Sequence, residues 1–255
     1  MTNAVRTTAT TKRVPMDSMR KTALAAGLLY LLSFASIPRL SLYGPVLNDP
    51  TFILGSGSAT GVLLAAVLEL IVAFACVGTG VALFSVVKRQ NEGVALGFVG
   101  ARVFEAALII VGIISILAVV TLRDVAAAGG AEATSLVTTG HALVAIQNWT
   151  FLFGQTLVPG VNALLLGLLL YRSRLVPRII PALGLIGGPL MISSVIGQVL
   201  GINEQVSVWS AIALLPIFVW ELSLGLWLVF KGFRPSPVLA PDRREQETAP
   251  AYAAA

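Results

Sequence analysis

Four charged side chains lie inside long apolar segments, where charge is costly. Arg102 and Glu105 are three residues apart, so on a helix they share a face and can form an ion pair. Glu69 and Glu221 lie in other apolar segments without an obvious cationic partner. Because one arginine cannot neutralise three carboxylates, some of them carry a proton, or the patch holds water or a bound cation. Two interpretations remain open: a site for a proton or small cation, and a structural network that fixes helix packing, which is the favoured one.

A second polar feature has a regular spacing. His141, Asn148, Gln155 and Asn162 follow one another at intervals of seven residues in an otherwise apolar segment. On a helix such residues form one stripe that drifts by about 20° per heptad. A polar stripe does not face lipid, so we expect this helix to present it to the protein interior or to water.

The depths of these polar residues agree across several segments, at a rise of about 1.5 Å per residue. Near the middle of the membrane we expect Arg102, Glu105, Asn162 and Glu221, and in the outer half Glu69, Gln155, Ser194 and Gln198. Asn148 and His141 would continue this line as a polar track to the outer surface. The sequence therefore predicts one connected polar intramembrane site that opens to one side.

The composition is that of a membrane protein. The 255 residues are 56% hydrophobic and 11% charged, with a mean hydropathy of +0.89, whereas soluble domains have about 25% charged residues. The net charge of +5 comes from basic residues in short loops and tails, which argues against a nucleic-acid partner and leaves the lipid bilayer as the expected one. Cys76 is the single cysteine, and no HExxH, CxxC, GxSxG or phosphate-loop motif is present. We therefore predict no catalytic, cofactor or metal site.

Six apolar segments predict an all-α integral membrane bundle of six transmembrane helices, because backbone groups in lipid must pair within the segment. The expected helices are 22–38, 61–87, 94–122, 140–171, 179–201 and 206–230, within a membrane domain of residues 20–231. Residues 1–19 and 232–255 are expected to be disordered tails. A signal peptide is the alternative for the first segment, but Ala35–Pro38 is a poor cleavage site.

The lysines and arginines predict the orientation. Most of the 17 fall on the side that holds both termini, including a basic turn of Arg172, Arg174 and Arg178, which predicts that both termini are cytoplasmic. Three helices per half would allow an inverted repeat, with Glu105 and Glu221 in loosely matching places. The halves share no residue-level similarity, which favours a bundle without internal repeats.

Parts of the chain resemble a known family. Five stretches are similar to bacterial membrane proteins catalogued as domain of unknown function 4386. They are Leu152–Gly167, Leu170–Arg178 (LYRSRLVPR), Ile180–Gly188, the element Arg102-Val-Phe-Glu105 and Arg20-Lys21-Thr-Ala at the start of the first helix. The resemblance covers most of residues 18–231, and its most specific part is the Tyr171–Arg178 turn. It implies a multi-pass protein of the bacterial inner membrane. It assigns no substrate, reaction or residue role.

The functional expectation is a non-enzymatic membrane protein of the small transporter or carrier type, with Arg102, Glu105, Asn162 and Glu221 as its polar site. The alternative is a structural or regulatory membrane protein, with the Arg172–Arg178 turn at the anionic inner leaflet. An intramembrane enzyme is disfavoured, because the sequence offers no nucleophile–base pair and no metal-ligand set.

Overall fold

The computed structural model describes residues 17–55, 58–129 and 132–236, whose regular structure is entirely helical. The α-helices of these residues are α1 (Ser18–Leu32), α2 (Arg39–Leu42), α3 (Gly44–Asn48), α4 (Thr60–Val87), α5 (Glu92–Ala127), α6 (Ala133–Leu152), α7 (Val158–Ser173), α8 (Ile179–Val199) and α9 (Val208–Phe230). Two 3₁₀ turns cover Ser33–Ser36 and Phe52–Leu54. A π-helical stretch, Phe153–Leu157, joins α6 to α7 without a break.

Six helical segments are long and apolar enough to cross a membrane, which confirms the predicted all-α membrane bundle. They are Ser18–Leu42, Thr60–Val87, Glu92–Ala127, Ala133–Ser173, Ile179–Val199 and Val208–Phe230. Large apolar side chains cover the outside of the bundle: Phe74 is 68% exposed and Leu96 61% exposed. Such an apolar surface suits hydrocarbon rather than water.

The six segments form a closed ring, in which each packs on the next. α1 packs between α4 and α9, α4 against α5, α5 against α6 and α7, α7 against α8, and α8 against α9. Arg20 joins the two ends of the ring, because its guanidinium donates to the carbonyls of Leu228 (2.8 Å) and Val229 (2.5 Å) at the end of α9. The ring creates an interior that all six segments can reach.

Two apolar cores fill opposite ends of this interior. At the end that holds the start of α1, Tyr30, Phe98 and Trp220 pack among leucines of α4, α7 and α9. At the other end, Tyr43 and Ile53 pack with residues of α4, α5 and α6. The polar side chains considered below lie between these cores and beside the second one.

Two helices are longer than the sequence predicted. α5 continues to Ala127 instead of ending near 122, and α6 begins at Ala133 instead of near 140. The extension of α5 is stabilised by Arg123, whose Nε donates to the carbonyl of Gly55 (2.6 Å) and whose guanidinium lies 4.2 Å from the Phe52 ring centroid. A buried arginine in contact with a folded segment therefore belongs to the helix rather than to a loop.

The expected tails and the first connection also differ from the prediction. Ser18 and Met19, placed in the disordered N-terminal tail, belong to α1. Residues 1–16 and 237–255, which make up most of both predicted tails, lie outside the described residues. The segment from Arg39 to Thr60, predicted as a loop, contains α2, α3 and a 3₁₀ turn. This folding buries Arg39, which lies between the first two predicted helices in the sequence.

Candidate functional site

One buried ion-pair network joins α5 to α9 across the interior of the ring. Arg102 is 2% exposed, and its Nη1 donates to Glu105 Oε2 at 3.1 Å. Its Nη2 reaches Glu221 Oε1 at 3.5 Å. The expectation that Glu221 lacks a cation is therefore wrong, because the helix ring places it opposite Arg102 although the two are 119 residues apart in sequence.

Other helices complete this network, which we call the Arg102 cluster: Tyr30, Cys76, Arg102, Glu105, Asn162 and Glu221. Asn162 Nδ2 donates to Glu105 Oε2 at 2.7 Å. The guanidinium of Arg102 lies 4.9 Å from the centroid of the Tyr30 ring and 3.8 Å from Cys76 Sγ. Cys76, the single cysteine of the sequence, thus contacts a buried charge.

A second network, the Arg39 cluster, consists of Arg39, Tyr43, Glu69, Gln147 and Gln155. Glu69 is 1% exposed and accepts three hydrogen bonds, from Arg39 Nη1 (2.9 Å), Tyr43 Oη (3.0 Å) and Gln155 Nε2 (2.8 Å). The expectation that Glu69 lacks a cation is also wrong. Burial, and next the Glu69 carboxylate, raise the pKa of the Tyr43 phenol, so its hydroxyl keeps the proton that it donates.

Gln147 fixes the arginine of this cluster from the other side. The side-chain amide of Gln147 satisfies both of its polar atoms when its nitrogen and oxygen exchange places. In this orientation, the nitrogen donates to the Gly112 carbonyl (2.9 Å) and the oxygen accepts from Arg39 Nη1 (3.0 Å). A Cβ at Gly112 would overlap the Gln147 side chain, so the glycine makes room for this contact. The Arg39 guanidinium lies 3.9 Å from the Phe151 ring centroid, a cation–π contact that covers one of its faces.

A cavity of about 590 Å³ adjoins the Arg39 cluster, with Arg39 and Gln155 in its wall. The facing wall comes from α8 and from the start of α9, where Ser194, Gln198 and Ser210 form a hydrogen-bonded group. The Ser194 and Ser210 hydroxyls are 3.2 Å apart, and Gln198 Nε2 lies 3.3 Å from each. The interior site therefore combines buried charge with open space.

The residues predicted from the sequence fall into three places. Asn162 joins the Arg102 cluster, and Gln155 joins the Arg39 cluster. Gln198 and Asn148 line the cavity, although Gln198 bonds to serines rather than to Glu69.

The predicted polar track does not extend to His141. This side chain lines a separate pocket of about 90 Å³ together with Asp49, and Leu47 lies in the walls of both spaces. The track ends at Asn148 because the folded connection between α1 and α4 lies against the start of α6. His141 is therefore outside the candidate site.

The basic turn is remote from both clusters, at the end of the bundle where α7 finishes. Arg172, Arg174 and Arg178 are exposed. Arg174 ends α7 in the left-handed conformation, with φ of 56°, and Arg178 lies over the Tyr171 ring at 5.0 Å. These residues do not take part in the interior site.

Sequence reasoning missed Tyr30 and Cys76 in the Arg102 cluster, and it missed Arg39, Tyr43 and Gln147 in the Arg39 cluster. Arg39 directly follows the first apolar segment, and Glu69 lies in the next one, which was the available signal for their pairing. Nothing in the sequence indicated the hydrogen bond from Tyr43. Among the described residues, no group of three or more His, Cys, Asp or Glu side chains could hold a metal ion.

Comparison with known protein families gives a match over most of the chain. The family described as Domain of unknown function (DUF4386) matches residues 25–232, a range that includes both clusters and the cavity wall. This match confirms the family resemblance seen in the sequence. No curated protein and no solved structure matches the chain.

Proposed function

The chain belongs to the DUF4386 family, and we propose that it is a non-enzymatic carrier whose buried carboxylates bind a proton or a small cation as a solute passes through the membrane. The solute would enter through the cavity beside Arg39. The Arg102 cluster, deeper in the ring, would hold the proton or cation. This proposal joins the two polar networks and the cavity into one path.

The observation that carries the proposal is an imbalance of buried charge. The two clusters contain the guanidiniums of Arg39 and Arg102 and the carboxylates of Glu69, Glu105 and Glu221. Two positive and three negative groups leave one excess negative charge within these two clusters, because the third buried arginine, Arg123, contacts Gly55 and Phe52 instead. Since uncompensated charge is strongly disfavoured in a membrane, one proton or one monovalent cation would complete the set.

The excess charge belongs to the Arg102 cluster. Arg39 and Glu69 balance each other, whereas Glu105 and Glu221 share Arg102. Asn162 Oδ1 is buried there without a hydrogen-bond partner, as is Arg102 Nε. A protonated carboxyl group or a cation beside Glu105 would give the Asn162 oxygen a partner, which supports this cluster as the proton or cation site.

For the orientation, we propose a bacterial inner membrane with both termini in the cytoplasm. Exposed basic side chains gather at the end of the bundle where α1 begins and α9 finishes, among them Lys88, Arg89, Arg172 and Lys231. At the other end, Asp49, Glu132 and Glu204 are exposed. The positive-inside rule makes the basic end cytoplasmic, so the cavity would face outward.

Proton movement into proteoliposomes tests the proposal. Vesicles with a trapped pH-sensitive dye receive a potassium-diffusion potential, and the initial rate of proton entry is measured. We expect the protein to raise this rate above that of protein-free vesicles. Glu105→Gln and Glu221→Gln should return it to the protein-free rate, because each variant removes the excess carboxylate. Repetition with a sodium gradient and a sodium-sensitive dye distinguishes a proton from a cation.

Glu92→Gln is the matched control, because Glu92 is an exposed glutamate at the start of α5. It should keep the wild-type rate. A wild-type protein that moves neither protons nor sodium, together with carboxylate variants that change only thermal stability, would contradict the carrier proposal. That result would assign the network the structural role of fixing helix packing.

A further inference from the structure

We propose that the cavity beside Arg39 binds an uncharged amphiphile that carries hydroxyl or ester groups on an acyl chain, of the monoacylglycerol type. This inference rests on the interior site proposed above and names the class of molecule that the site would take. It follows from the charge, the hydrogen-bonding capacity and the surroundings of the cavity.

The charge lining the cavity favours an uncharged ligand. Arg39 is the one charged residue in the wall that the described residues form, and Glu69 already neutralises it. An anion would therefore leave an unbalanced charge in a buried place, and a cation would meet the guanidinium. Asp49 and Glu204, which adjoin lining residues in sequence, are exposed and would further repel an anion.

The cavity wall retains both donors and acceptors. All hydrogen bonds of Arg39 use Nη1, which leaves its Nε and Nη2 groups for a ligand. Gln155 and Gln198 donate through Nε2 to protein groups, so their amide oxygens can accept. Asn148, an exposed residue, also lines the cavity, and its side-chain amide has both a donor and an acceptor. A ligand with hydroxyl groups and a carbonyl can use both kinds of partner.

The remaining wall is apolar and continues to the lipid-facing surface. Phe151 and Met191 line the interior part of the cavity. Leu40 and Leu214 also line it, and they are 70% and 52% exposed. In a membrane these exposed leucines would contact hydrocarbon, so an acyl chain could extend from the cavity into the lipid. A small hydrophilic solute would gain nothing from this apolar rim.

The layout of the helices provides the opening. α6 packs on α5 and on the Phe52–Leu54 turn, whereas α8 packs between α7 and α9. The cavity lies between α6 on one side and α8 with the start of α9 on the other. It measures about 590 Å³, within the range of about 300–1,000 Å³ that is usual for small-molecule sites.

Binding of two matched probes tests the inference. The purified full-length protein in detergent is mixed with 1-oleoylglycerol or with 1-oleoyl-lysophosphatidic acid, which has the same acyl chain and an added phosphate. Native mass spectrometry then measures the fraction of protein that carries each probe at equal concentration. We expect 1-oleoylglycerol to bind at least about tenfold more tightly, because its headgroup brings no charge.

Three variants locate the binding. Ala211→Trp fills the cavity from its exposed side and should abolish the preference for 1-oleoylglycerol. Asn148→Leu replaces the side-chain amide with an apolar group of similar volume and should weaken binding by about three- to tenfold. Ser85→Leu, on the exposed face of α4 at the other end of the bundle, should leave binding unchanged. Thermal unfolding of each variant identifies any that fail to fold.

Equal or tighter binding of the lysophosphatidic acid would overturn the inference, and so would unaltered 1-oleoylglycerol binding in a folded Ala211→Trp variant. The proton-flux measurement separates this result from the carrier proposal. Selective binding by a protein that moves no protons would remove the carrier function and keep the ligand class. Proton flux without selective binding would keep the carrier function and remove the proposed ligand class.

Discussion

Gln155 and Asn162 lie seven residues apart, and each donates its side-chain amide to a different buried glutamate. Gln155 Nε2 is 2.8 Å from Glu69 Oε1, and Asn162 Nδ2 is 2.7 Å from Glu105 Oε2. The stripe recognised in the sequence thus connects the Arg39 and Arg102 clusters. One continuous helical segment sets the spacing between them at roughly two turns, or about 10 Å.

The two clusters also have similar chemistry. In each, an arginine pairs with a glutamate, an amide donates to that glutamate, and a tyrosine lies against the charged groups. The tyrosines differ in role, because Tyr43 donates to Glu69 whereas the Tyr30 ring lies 4.9 Å from the Arg102 guanidinium. The clusters differ in charge, because the Arg102 cluster has a second carboxylate, Glu221. The Arg39 cluster is therefore balanced, whereas the Arg102 cluster has one excess negative charge.

Removal of either amide should destabilise the protein by a similar amount. Gln155→Leu and Asn162→Leu each delete one hydrogen bond to a buried carboxylate that keeps its arginine. We expect a loss of about 1.5–3 kcal/mol in the free energy of unfolding, as for hydrogen bonds to charged groups. Thermal unfolding in detergent measures it. Gln90→Leu serves as a control near the other end of the bundle, and an equal loss there would show that the effect is not specific to the clusters.

The Arg39–Glu69 pair should show strong coupling in a double-mutant cycle. Arg39→Met alone leaves the Glu69 carboxylate buried without its cation, which we expect to cost about 3–5 kcal/mol. Arg39→Met combined with Glu69→Gln removes both charges and should recover much of that loss. Denaturant titration of the single and double variants provides the values. Additive losses would mean that the 2.9 Å contact contributes no coupling energy.

The sequence predicted the helices and part of the site for clear physical reasons. Long apolar runs identify membrane helices, and the spacing of Arg102 and Glu105 places them on one face. The heptad from Asn148 to Asn162 indicated an inward stripe. These features depend on local order along one helix, which a sequence displays directly.

Contacts between helices were not predictable in the same way. The pairing of Arg102 with Glu221 depends on the closure of the ring, and the pairing of Arg39 with Glu69 depends on the folded connection after α1. The failure at His141 has the same origin, because that connection separates it from the cavity. No single segment of the sequence indicates which other helix it will face across the interior.

Close packing of α7 on α8 should make Gly188 sensitive to substitution. A Cβ at Gly188 would lie 2.7 Å from Leu164 Cγ and 2.8 Å from the Gly160 carbonyl oxygen. Gly188→Ala should therefore lower the free energy of unfolding by about 1–3 kcal/mol. Gly100→Ala is the matched control, because the added Cβ meets nothing within 4 Å and helix propensity favours alanine. Equal thermal stability of the two variants would argue against this helix contact.

The proposed orientation predicts which end of the bundle a membrane-impermeant reagent reaches in intact cells. Cys76 is buried, so a cysteine introduced on the surface reports its own location. Glu204→Cys, in the connection between α8 and α9, should react with an impermeant maleimide added outside. Arg89→Cys, between α4 and α5, should react only after the membrane is permeabilised. The reverse pattern would place the basic end and both termini outside, and the cavity would then open toward the cytoplasm. Labelling of both positions in intact cells would indicate a leaky membrane, which a cytoplasmic marker protein detects in the same samples.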